Sequence, residues 1–235
     1  MLYFKDFEQA PNLRRFEFDK LQFISEGSTG GTYSDDYGNH YLVLKYGNIS
    51  HPQLIDELHS KGVILNYKGT LAKGPVFFVF AILDEYLSLN SMVGFNQHEK
   101  KLIDEKLCIE LIETMLMIFL EMQKTYNCHL KILTPSTIGI RNINEKESKG
   151  FGLLLPFPHE AFNRLDRVEV KDNYYFAAPE IISHFENNEC KVAEKEFRKA
   201  CLFSLGLVLL FCFGHCSLNY LKVREFRNYF KNIRR

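Results

Sequence analysis

The chain has 235 residues, 46% of them hydrophobic, with 29 Lys plus Arg against 29 Asp plus Glu. That length supports one large domain or two small ones with a true core, and the zero net charge excludes bulk electrostatic attraction to nucleic acid or to an anionic membrane. Six cysteines form no CxxC pair and several sit inside apolar runs, which fits thiols acting as small hydrophobes in a reducing cytosol.

The opening stretch, "MLYFKDFEQAPNLRRFEF", mixes charge with aromatics and lacks the apolar core of a signal peptide. From Leu21 to Val79 short apolar runs alternate with turns: "LQFIS", "GSTGG", "YSDDYGNH", "YLVLKYG" and "VFFVFAIL". The cluster "DDYGNH" has turn chemistry, so the first two apolar runs, "LQFIS" and "YLVLK", read as an antiparallel hairpin. Between "YLVLK" and "VFFVF" the spacing predicts a helix over 50–61, with Ser50 as cap, Pro52 in the first turn, Leu54 and Leu58 on one face and Gly62 as stop.

After Asn90 the pattern turns helical. Residues 99–126 carry apolar side chains at helical spacing with no proline or glycine, the longest helix expected. Short strand-like pieces, "STIGI" and "FGLLL", follow; then a loop-rich stretch to Tyr175, a turn at "AAPE", and the apolar run "CLFSLGLVLLFCFG". The segment 201–218 has no acidic or basic residue besides His215, and basic residues crowd the last fifteen positions. It contains Ser204, Gly206, Gly214 and Ser217 and sits at the lower limit for a membrane span, so a buried central helix is expected ahead of an anchor. The tail "KVREFRNYFKNIRR" reads as an amphipathic helix packed on the domain rather than as a nucleic-acid patch. None of the eight histidines has metal-ligand spacing.

In this order the elements resemble a protein kinase domain. The glycine-rich loop of that family has its counterpart at Ser25, Gly27, Gly30 and Thr32, with serine for the first glycine. The strand carrying the phosphate-contacting lysine resembles Leu42-Val43-Leu44-Lys45, with Lys45 as the lysine and Val43 in the alanine position, where its two extra methyls would crowd adenine. Glu57, beside the Leu54/Leu58 face, is the candidate to pair with Lys45, and Asp56 points further out. Ala81 stands near the position gating the pocket behind adenine. The resemblance implies an α+β, bilobal kinase-like fold. It has a small antiparallel-sheet lobe over about 15–84, a hinge over about 84–91, and a mainly helical lobe over about 92–235 that is shorter than the family's, being either pruned or an incomplete gene product.

The resemblance also locates losses. Kinases use an aspartate as base and an asparagine and a second aspartate to hold magnesium. "YNCHLKILTPSTIGI" places Ile132 or Lys131 at the base, depending on whether Pro135 or His129 anchors the register, and Thr137 at the asparagine; Gly150-Phe151-Gly152 puts glycine at the metal-binding aspartate. Asp166 and Asp172 follow without a spacing that favours either as substitute. Ala178-Pro179-Glu180 matches the end of the activation segment. Ser204 and Gly206 match the central helix, and Cys201 replaces the aspartate that braces the catalytic loop.

Three functions stay open at this level. The first is a pseudokinase acting through protein partners, with weak, magnesium-independent ATP binding through Gly27, Gly30 and Lys45. The second is a divergent active Ser/Thr-type kinase using a displaced acid. The third is a membrane-tethered interaction protein anchored by 201–218.

Overall fold

The computed structural model describes residues 8–9, 20–26, 30–47, 53–73, 76–83, 86–98, 104–126, 130, 132–141, 150–155, 175–186 and 194–213. The fold is α+β and divides into two compact units. One is Met1–Leu87 with Leu153–Pro156, the other Ser88–Gly152 with Phe157–Arg235.

The first unit is built on a six-stranded sheet in the order β1-β5-β6-β4-β3-β2. Its strands are β1 (Glu8–Gln9), β2 (Gln22–Glu26), β3 (Gly30–Ser34), β4 (His40–Gly47), β5 (Tyr67–Lys73) and β6 (Val76–Ile82), all paired antiparallel. The runs "LQFIS" and "YLVLK" therefore do not form a two-stranded hairpin with each other. Half of the glycine-rich stretch is itself a strand, β3, which lies between them. It had too few side chains to register as one from sequence.

The β3–β4 turn is held by Asp35. One carboxylate oxygen accepts the backbone N–H of Tyr37 and of Asn39, both at 2.9 Å, and the other accepts the Asn39 amide at 2.9 Å and the Tyr41 hydroxyl at 3.0 Å. Gly38 supplies the left-handed residue with φ of 83°.

Helix α1 spans Gln53–Ser60; the expected cap residues 50–52 lie outside the described residues. Its end is a Schellman cap: Gly62, at φ 72°, donates to His59 O at 2.8 Å, and Val63 N–H donates to Leu58 O at 2.9 Å. Leu54, Ile55 and Leu58 bury the apolar face.

After the cap the chain passes into Asn66, 3% exposed. Its side-chain amide substitutes for a strand: Leu155 N–H donates to its Oδ1 at 2.8 Å, and its Nδ2 donates to Leu155 O at 3.0 Å and Ile82 O at 3.3 Å. Its own carbonyl accepts Ile82 N–H at 2.8 Å. Beside it, Ile64 and Leu153 form a parallel bridge, with Leu65 N–H to Leu153 O at 2.9 Å and Leu153 N–H to Val63 O at 2.7 Å.

A second, three-stranded sheet orders β7 (Leu87–Ser88), β8 (Ile138–Arg141) and β9 (Gly150–Leu153) as β7-β8-β9. The helices are α2 (Leu89–His98), α3 (Glu105–Tyr126), α4 (Pro179–Glu186) and α5 (Glu194–Phe213). Helix α2 was not expected. Its apolar stripe is short, but Ser88 caps it, accepting Ser91 N–H at 3.1 Å, and that serine was the available signal. The long helix α3 carries Cys108, Leu111, Met115, Ile118 and Met122 on its buried side. The "AAPE" turn continues into α4, with Pro179 in the first helical position.

The apolar run that begins at Cys201 forms most of α5. Among the described residues no helix is long and apolar enough to cross a membrane.

Replacing Asn66 removes one acceptor and two donated bonds and leaves Leu155 backbone groups buried without partners, at about 1–3 kcal/mol for each such group. Asn66→Leu, nearly isosteric, is expected to lower the urea midpoint by the equivalent of about 3 kcal/mol with an unchanged slope. A loss under about 1 kcal/mol would show that the clamp is dispensable.

Candidate functional site

Neighbours in an antiparallel ladder stand side by side on one face, and faces alternate along each strand. One cross-strand row therefore reads Ser25–Thr32–Leu42–Ala81–Tyr67, and the next Gly30–Leu44–Val79–Thr70. This face carries α1. The Tyr67 hydroxyl donates a short hydrogen bond to Asp56 and lies 3.0 Å from Thr70 Oγ1, and the Tyr67 ring meets His59 edge-on at 5.4 Å. Burial, reinforced by the Asp56 bond, holds the Tyr67 hydroxyl far above its ordinary pKa, so it stays a donor throughout the working range.

The opposite face holds Tyr33, Tyr41, Val43, Leu71, Phe78, Phe80 and Ile82 in one buried cluster with Leu21. Lys45 pairs with Phe78 and, two residues beyond Val43, belongs to this second face, where it is exposed.

The expected nucleotide set is thus split. Ser25, Gly30, Thr32 and Ala81 share the α1 face, while Val43 and Lys45 project from the other. Gly27 lies outside the described residues. The pairing expected between Lys45 and Glu57 is corrected on two counts. Among the described residues no ion pair joins them, and Glu57 is exposed while Asp56, expected to point outward, is the carboxylate bonded to the sheet. The residue that β4 offers toward α1 is Leu44, 1% exposed. Sequence could not settle this, because residues 41–44 are apolar on both faces and carry no alternation from which to read parity.

Gly30 has a physical requirement of its own. A β-carbon there would collide with the Val43 carbonyl across the ladder, so only glycine allows β3 and β4 to close. The glycine is explained by strand pairing without any ligand.

In the second unit the positions matched to catalytic groups are filled from within. Ile132, in the base position, is 1% exposed; Lys131, the alternative, lies outside the described residues with His129. Thr137, in the metal-ligand position, is buried and closes a turn over Pro135–Thr137. Its hydroxyl donates to Thr134 O at 3.0 Å and accepts Thr134 N–H at 3.1 Å. Gly150 opens β9 and brings no side chain, while Phe151 is buried.

Cys201 still touches the segment that its aspartate counterpart would brace, its thiol donating to the Leu130 carbonyl. Burial pushes that thiol up to about 12, so it stays neutral. Ser204 donates to Phe176 O at 2.7 Å, tying α5 to the approach to Ala178-Pro179-Glu180.

Where described, the matched positions bring together no cation and carboxylate that would hold a metal-bound nucleotide. The cation is on the wrong face of its strand, the matched metal-ligand positions offer no carboxylate, and no cluster of three or more potential metal ligands occurs among the described residues. Asp166 and Asp172 lie outside the described residues.

No family model matches the sequence, and no curated protein matches it. Among solved structures the chain is similar to the kinase domain of maize sucrose-induced receptor kinase 1 bound to AMP-PNP. The TM-score is 0.58, covering 87% of this chain and 74% of that one, at 12% sequence identity. A likeness at that identity is one of fold, and the fold is that of a protein kinase domain.

The sheet register makes a direct prediction. Lys45→Ala is expected to leave the unfolding free energy within about 0.5 kcal/mol of the parent, whereas Leu44→Ala is expected to cost about 3 kcal/mol. Equal losses by urea denaturation would mean that the faces of β4 are reversed.

Proposed function

We propose that this chain is a pseudokinase: a kinase-like domain that transfers no phosphate and acts as a binding or regulatory module for protein partners in the reducing cytoplasm. The observation that carries this reading is the simultaneous occupation of the matched catalytic positions by Ile132, Thr137 and Gly150, with Leu44 rather than Lys45 turned toward α1.

Phosphoryl transfer rests on positioning and on metal neutralising charge. A buried isoleucine cannot accept a proton. A threonine hydroxyl already donating to its own turn is not free to hold a cation, and glycine has nothing to offer one. Because the groups act as a unit, their joint absence removes the reaction rather than slowing it in proportion. Nucleotide affinity in this reading is weak and independent of magnesium, since it rests on backbone around Gly30 and not on a cation. The three described free cysteines, Cys108, Cys201 and Cys212, are all buried thiols, consistent with a reducing compartment.

The rival, a divergent active kinase, needs a displaced acid and a metal. A thermal-shift titration with ATP, with and without magnesium, separates the two. Ligand at its dissociation constant stabilises by about 0.4 kcal/mol, so millimolar ATP is expected to raise the midpoint marginally, equally with and without magnesium, and equally for Lys45→Ala. A magnesium-dependent rise, together with phosphate incorporation into the chain or a generic substrate that Lys45→Ala abolishes, would establish the active kinase instead.

A further inference from the structure

Helices α3 and α5 pack on each other within the second unit, and their buried stripes match in antiparallel register. On α3 the buried positions are Cys108, Leu111, Met115, Ile118 and Met122, at intervals of 3, 4, 3 and 4. From its far end, α5 buries Cys212, Val208, Leu205 and Cys201 among others, at intervals of 4, 3 and 4. Met122 and Gln123 line one cavity of about 300 Å³ with Arg198 and Cys201, which sets the end of α3 beside the start of α5. Fourteen residues back from Met122 stands Cys108, and fourteen forward from Arg198 stands Cys212. Both steps advance about 21 Å along a helix, so the two cysteines close the other end of the same seam.

The spacing of packed helices suits a bond between them. Where two helix axes lie about 10 Å apart, Cα atoms on a radius of about 2.3 Å face each other at about 5 Å, inside the range of about 4.4–6.8 Å that a disulfide spans. The two thiols are also within electrostatic reach of each other: burial first, then Cys108, pushes the Cys212 thiol up to about 12. Both are free thiols. Cys201, by contrast, is engaged with the Leu130 carbonyl.

We propose that Cys108 and Cys212 are a redox-responsive dithiol that a low-molecular-weight disulfide converts to an intrachain disulfide, stapling the start of α3 to the end of α5. None of the positions matched to catalytic groups takes part. Cys108 leads the exchange. Burial, then Asp104 and Glu105, raises its thiol, yet it ionises before Cys212, whose proton its charge then holds in place. It lies in the first turn of α3, and Cys212 is one residue from the end of α5, so fraying of terminal turns admits the reagent. The Cys108 thiolate attacks one sulfur of the small disulfide and expels one thiolate. Cys212 then gives its proton to solvent, attacks the Cys108 sulfur of the mixed disulfide and expels the second thiol. Two cysteine thiols are oxidised to one S–S bond while one small disulfide is reduced to two thiols. In a reducing compartment the pair stays open, and it closes as small disulfides accumulate.

The intact chain equilibrated with excess glutathione disulfide, then alkylated and digested with trypsin, tests this. Peptides 107–124 and 200–222 are expected to be recovered joined, two hydrogens lighter than the separate pair, with fragmentation placing the bond between Cys108 and Cys212. Cys201 and Cys216 share the second peptide, so Cys212→Ala is expected to abolish the link and Cys216→Ser to leave it. Closure in the parent chain is expected to raise the thermal midpoint on the order of 10 °C, and dithiothreitol to return it. Should Cys212→Ala fail to fold, fragmentation of the parent's joined peptides decides alone. Cys108 bonded to any other cysteine, a bond between copies, thiols that remain alkylatable in excess glutathione disulfide, or a midpoint unmoved by closure overturns the proposal.

Discussion

The Val43 carbonyl occupies the space that a side chain on Gly30 would need, and this close approach fixes how β3 and β4 pair. With side chains alternating at period two, the register assigns every neighbour a face: Leu42 and Leu44 toward α1, Val43 and Lys45 away. Slipping by one residue would exchange the faces. It would drive a lysine onto the face that carries α1 and expel Leu44, at a cost of several kcal/mol for an unpaired buried charge. The aromatic cluster of Tyr33, Tyr41, Phe78 and Phe80 on the far side resists the same slip, since it would have to turn inward together with Val43.

Among the described residues, the polar side chains buried inside the first unit are each matched. Asn66 serves as a piece of strand for Leu155 and Ile82, and Tyr67 ties β5 to Asp56. Neither arrangement presents an unpartnered donor or acceptor to a ligand, and both convert side chains into scaffold. The second unit follows the same logic. Thr134 and Thr137 satisfy one another, Cys201 donates to Leu130 O, and Ser204 donates to Phe176 O. In each of these cases the buried polar side chain closes a neutral bond within its own unit.

Much of the architecture could be read from the residues in order. Helical spacing over 99–126 anticipated α3, whose described residues begin at Glu105 beyond a short stretch outside the description. Gly62 foretold the end of α1, and "DDYGNH" the turn into β4. Helix α2 and strands β3 and β5 escaped notice. Their signals were a single capping serine, two glycines, and an alternation interrupted by Lys68 at an irregular point in the ladder.

Sequence by itself determined that this protein folds as α+β and that isoleucine or lysine, threonine and glycine stand at positions matched to catalytic groups, because identity at a position needs no coordinates. Only tertiary structure decided which way Lys45 faces, which of Asp56 and Glu57 reaches the sheet, and what Asn66 holds. Those are questions of parity and of partners far along the chain. A run such as "YLVLK", apolar on both faces, contains nothing that fixes its own register; β3, β6 and α1 had to supply it.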